Sequence, residues 1–279
     1  HVEGVVNTIE LKEGGGLYID GREEIDIQRC SFVGNYTDHK GAAIYARDAS
    51  GLIRNCLFEN NTTGLEAGFS KGGAVFLINS EFKLDYSDFY GNEAIVAGAV
   101  YGQNSGLDVD QCRFVSNVSK AGGGALVGHK SGIYTFDECE FDNNYANGSG
   151  GAIALLEGIW ARFRNCSFRD NTSETELYLS DGGAVLITPY DNEASFTNCS
   201  FSGNEAGDFG GAVYATSTSD FISCLFHDNY SSLDSTGPGG GGAIVMSLGY
   251  YEILNTTLSG NAGDLGSEIL CEDAGFSLL

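Results

Sequence analysis

The side chains of this 279-residue sequence that could do chemistry are 8 cysteines, 4 histidines and 38 acidic residues. Cys30, Cys56, Cys112, Cys139, Cys166, Cys199 and Cys224 recur at one place in a repeating pattern, and Ser87 and Thr256 fill that place elsewhere. A slot that accepts Cys, Ser or Thr selects for small size, which suits a buried thiol. Stacked in register, such thiols lie slightly too far apart for a relaxed disulfide. There is no CxxC pair and the histidines are scattered, so no zinc site is expected. Hydrolysis or lyase chemistry would need paired carboxylates, or calcium ligands with a base, in a constellation that breaks the repeat. The sequence has no Asp-Asp pair and no Asp, His and Arg cluster, and its basic residues are dispersed. His129 and Lys130 are adjacent but lie in a repeat of ordinary length, so they read as surface residues. No catalytic, cofactor or metal set is expected beyond weak binding of divalent cations such as calcium, which take carboxylate and carbonyl oxygens.

The elements that hold these residues follow from the repeat. A small-small-Ala-aliphatic motif begins at Gly14, Gly41, Gly72, Gly98, Gly123, Gly150, Gly182, Gly210, Gly241 and, degraded, at Gly266. It alternates with an FxxN motif, from Phe32 and Asn35 to Phe226 and Asn229, which ends as Leu258 and Asn261. Apolar residues alternate in short runs between turn signals, with no helical period, so the repeat is built of strands. The inward parity changes just before the Cys slot, which requires a bend there. These features predict an all-β, right-handed, single-stranded parallel β-helix of about ten coils, three short strands each, as one domain over residues 1–279.

Insertions fall at one corner only, in loops 62–71, 172–181 and 230–240. Glu66, Phe69, Glu174, Tyr178 and Asp234 in these loops are the candidate recognition residues. Opposite the inward aliphatics, Tyr45, Phe76, Tyr101 and Tyr214 line up as a candidate interaction stripe, open to a partner or covered by the chain itself. The Asn column is expected to satisfy backbone groups at a turn. Among the N-x-[ST] sites, Asn165, Asn198 and Asn255 directly precede the inward Cys slot and are the favoured glycosylation acceptors.

The net charge of −24 repels polyanions, so nucleic acid is not an expected partner. No stretch approaches the roughly 20 apolar residues of a membrane span, and no signal peptide is recognised. With 41 Gly and only 2 Pro, the composition suits recurring tight turns between hydrogen-bonded strands.

The alternation of GGA[IV] with FxxN resembles the repeat of the chlamydial polymorphic outer membrane proteins, over nearly the whole sequence. That resemblance implies a pectate-lyase-like parallel β-helix displayed outside the cell for adhesion or scaffolding. The expected function is therefore a non-catalytic extracellular or cell-surface module, a segment or subunit of a filamentous assembly. Its expected partners are other chains or copies of itself, packed end to end or laterally, and surface glycans. The alternative is a polysaccharide lyase or glycoside hydrolase using a groove on the helix. Both ends of the sequence lack a capping pattern, which reads as a fragment or as copies that stack.

Overall fold

A computed structural model describes residues 2–3, 13–64, 70–174, 180–232, 240–272 and 275–278. Every strand pairing among them is parallel, and each strand pairs with its counterparts in the coils before and after. The first sheet carries the GGA motif and runs through ten strands, from Leu17–Asp20 to Ile269–Glu272. The second runs through ten strands from Ile25–Gln28 to Gly275–Leu278, and the third, with the Phe column, through ten from Val2–Glu3 to Thr257–Ser259. The chain is thus a parallel β-solenoid, as the repeat predicts.

The expected three strands per coil omit a fourth element. Eight short strands, from Tyr36–Thr37 to Tyr230–Ser231, form a fourth sheet just after the Asn column. Most are two residues long, too short to show an alternation in sequence.

The corners explain how one repeat turns so sharply. The residue before the Cys slot is left-handed in coil after coil: Arg29, Asn55, Tyr86, Gln111, Glu138, Asn165, Asn198, Ser223 and Asn255 have φ of 47–54°. That is the bend required by the parity change. At the corner leading into the first sheet the left-handed residue is nearly always glycine. At Gly182, for example, φ is 66° and a Cβ would collide with the Val185 carbonyl.

Inside, like stacks on like. Phe32, Phe58, Phe89, Phe114, Phe141, Phe168, Phe201 and Phe226 form a column with ring centroids 4.5–5.0 Å apart. Phe136, Phe163, Phe196 and Phe221 form a second column that meets the first edge to face. The Asn column lies beside them, buried from Asn35 to Asn261. Each side-chain amide donates to the next Asn carbonyl at 2.7–3.0 Å. From Asn61 onward the same amide also donates to the Phe carbonyl of the preceding coil. At Asn261 the next acceptor is the Glu268 carboxylate, 2.6 Å away. Glu268 occupies the alanine slot of the degraded final motif, so the change in sequence coincides with the end of the amide ladder.

Candidate functional site

The cysteine column is buried except for the half-buried Cys30, and all 8 cysteines are free thiols. Its thiols donate to main-chain carbonyls, as Cys112 does to Leu84 and Asp110. Burial pushes the Cys112 thiol up to about 12, so it is an inert packing group.

The aromatic stripe lies inside the chain and is not an open surface. Tyr45, Phe76 and Tyr101 are buried and Tyr214 is half-buried. Tyr18, Tyr45, Phe76 and Tyr101 stack with centroids 5.1–5.3 Å apart, and Ala97, Val127 and Ala154 join their cluster. Strand alternation does point these side chains away from the main core. The cover comes from the backbone returning toward each glycine corner, where Glu13, Lys40, Lys71 and Val96 pair from coil to coil. Lys40 lies over Phe76 and Lys71 over Tyr101.

This layer holds a polar chain. The Lys71 ammonium donates to the Tyr101 hydroxyl at 3.0 Å, and that hydroxyl is 2.8 Å from His129 Nδ1. His129 Nε2 is 3.8 Å from Glu157. Burial lowers the pKa of Lys71, with Lys40 and Lys130 adding repulsion; burial lowers that of His129 too, opposed by Glu157. The Tyr101 hydroxyl is 2 % exposed with its residue and engaged on both sides, so this chain seals the polar edge of an aromatic stack. His129, expected at the surface, is half-buried in this contact, whereas Lys130 is exposed.

At the insertion corner, Asp181 and Asp208 are both buried. Asp208 accepts from the Ser180 N–H at 2.8 Å and from its hydroxyl. Among the described residues one carboxylate oxygen of Asp181 has no hydrogen-bond partner. Burial, then the neighbouring Asp208, pushes its pKa up to about 7 against a backbone hydrogen bond from Phe209. This pair joins residues from successive coils, so no local motif announced it. Of the candidate recognition residues, Glu66, Phe69, Tyr178 and Asp234 lie outside the described residues, and Glu174 is exposed.

Asn165, Asn198 and Asn255 are exposed at their left-handed corner. Asn198 donates to Asn165 at 2.8 Å, and Asn165 donates to Asp137 at 3.0 Å. The sequons at Asn35, Asn61, Asn117, Asn171 and Asn229 belong to the buried amide ladder, where a glycan has no room.

The outer face of the second sheet carries what the sequence reading passed over. Trp160, the one tryptophan in the sequence, is 61 % exposed. Cross-strand pairing sets it between Ile133 and Glu193, while Arg162, two residues along, lies between Thr135 and Ser195. These side chains line a groove of about 230 Å³. The strict alternation of Ile159–Arg164, with Trp160, Arg162 and Arg164 outward, was the signal that could have located it.

Among the described residues no group of three or more potential ligands could hold a metal, and no helix is long and apolar enough to cross a membrane. The topology and columns define a β-solenoid whose side-chain chemistry is spent largely on coil-to-coil stacking. The model of the right-handed β-helix region family matches residues 2–159 and 99–276, and the chain belongs to that family. No curated protein and no solved structure gives a significant match.

Proposed function

We propose that the protein is a non-catalytic extracellular or cell-surface module, structural and adhesive, of the polymorphic outer membrane protein repeat type. The observation that carries this reading is the unbroken stacking. The Asn ladder runs without a break from Asn35 to Asn261, and the Phe stack from Phe32 to Phe226. A long, regular scaffold suits display and lateral or end-to-end packing, and exposed Asn165, Asn198 and Asn255 suit glycan attachment in a secreted setting. Antibody labelling of intact cells should find the protein outside, and polysaccharides incubated with it should gain no new reducing or unsaturated ends.

A second reading, a carbohydrate-active enzyme, has one observation in its favour. Asp181 is held near neutrality beside a second carboxylate, as an acid catalyst would be. Both groups are buried, and Asp208 is engaged by Ser180. Polysaccharide turnover that disappears in Asp181→Asn would establish the enzyme and overturn the scaffold.

A further inference from the structure

We propose that the outer face of the second sheet at Trp160 is a binding site for a neutral sugar, stacked on the indole and hydrogen-bonded by Arg162, Glu193 and Ser195. This deepens the adhesive reading, on which it rests, by naming a ligand class and its site.

The residue types and their placement carry the argument. A tryptophan has no reason of packing to stand on the outer face of a solenoid strand, and leaving 61 % of it exposed forgoes burial of one of the largest apolar surfaces a side chain offers. Register between neighbouring parallel strands sets its ring and the paired side chains on one face of the sheet. A pyranose offers the complement: an apolar C–H face for the indole and a rim of hydroxyls that both donate and accept. The rim here provides both roles, with donors on Arg162, acceptors on Glu193, and a hydroxyl on Ser195 that does either.

The polar groups are also free to serve. Arg47, Arg54, Arg113, Arg164 and Arg169 are each held by an aspartate of a neighbouring coil. Among the described residues Arg162 and Glu193 have no ion-pair or side-chain hydrogen-bond partner, although the sheet sets them diagonally across from one another. Thr135, by contrast, donates to Asp108 at 2.6 Å, which fixes the groove's far wall.

Size and charge choose among occupants. A groove of about 230 Å³ is smaller than the usual site for a drug-sized ligand and has room for about one sugar ring. Two exposed apolar side chains, Ile133 and Trp160, ringed by charged ones, fall far short of the roughly 800 Å² per partner of a stable protein interface. A second copy would bring no more than the same small apolar area to this face, too little to hold it here. The net charge of −24 and the nearby Asp108 and Glu193 disfavour an anionic sugar.

Because Trp160 is the sole tryptophan, its fluorescence reports on this site alone. Titration with cellohexaose, maltohexaose, mannohexaose and chitohexaose should shift or quench the emission with at least one of them. Arg162→Met and Glu193→Gln should weaken that binding at least about tenfold with the thermal midpoint unchanged. Trp160→Ala should abolish binding measured by calorimetry. No response from any of the four up to about 10 mM overturns the proposal, as does binding that survives Trp160→Ala. Oligogalacturonate bound as tightly as the neutral sugars overturns the neutral assignment, and self-association lost in Trp160→Ala assigns the face to a second copy instead. None of these failures bears on the surface-labelling and turnover experiments that test the scaffold reading, so the two fail separately.

Discussion

Asn144 shows how much one amide does in this chain. It donates to the Phe114 carbonyl and to Asn171, and its oxygen accepts both the main-chain and side-chain N–H of Asn117. Asn144→Ala removes four hydrogen bonds from a dry interior and leaves the Asn117 main-chain N–H without its acceptor; at about 1 kcal/mol for each lost bond or unmet group, a loss of about 4 kcal/mol is expected. Asn35, at the start of the described ladder, has an oxygen without a hydrogen-bond partner among the described residues. Asn35→Ala should therefore cost less than half as much in urea unfolding; equal costs would show that the ladder is not the source. Asp181 gives a residue-scale pH effect with a fixed sign. An unfolded Asp titrates near about 4, whereas the folded group is held up to about 7. Between those values the folded chain binds the additional proton, so this group's contribution to stability is present at low pH and lost as pH rises through 7. The slope is at most about 1.4 kcal/mol per pH unit. Asp181→Asn should flatten that part of the stability profile, and an unchanged profile would reject the shifted titration.

At the scale of the element, the columns were legible because identical residues recur at nearly constant spacing. Phe58 above Phe32 and Asn61 above Asn35 are sequence facts before they are contacts. The bend before each Cys was legible for the same reason: inward parity in strands such as Glu81–Asp85 and Asp88–Tyr90 cannot both hold on a straight path. The fourth sheet was not, since a strand such as Tyr145–Ala146 contains no period. Alternation assigned Tyr45 and Phe76 to the outer side of their sheet, but alternation cannot say what returns over that side. Asp181 and Asp208 meet only because one coil lies on the next. The Cys column permits a test of the element itself. Cys271 is exposed, whereas Cys56, Cys112, Cys139, Cys166, Cys199 and Cys224 are buried. With an aromatic disulfide reagent, Cys271 should react at once and these six only at the rate of unfolding. Rapid native-state reaction of the six would mean that the strands carrying them do not stack as described.

Among the described residues the molecule is a stack in which each strand pairs with its counterparts in the neighbouring coils, with no pairing between one end and the other. Ten strands in each of the three longer sheets, at about 4.8 Å, make it about 45 Å long. Its charge of −24 repels itself along that length, so moderate salt should raise its thermal midpoint. Stability in such a chain is a sum of coil terms and interface terms, so a lesion at one interface should divide it. Gly151 lies near the middle, and a Cβ there would be driven into the carbonyl oxygen of Gly183 in the next coil. Gly151→Ala should therefore weaken one interface while the Asn and Phe columns on either side stay intact. The expected result is a broader urea transition with a smaller m-value. Amide exchange should quicken around Ile153 and Val185 and stay slow near Phe58 and Phe226. A transition that moves to lower urea with its slope unchanged would instead show that all the coils unfold as one unit, and the nearest-neighbour account of this solenoid would fail.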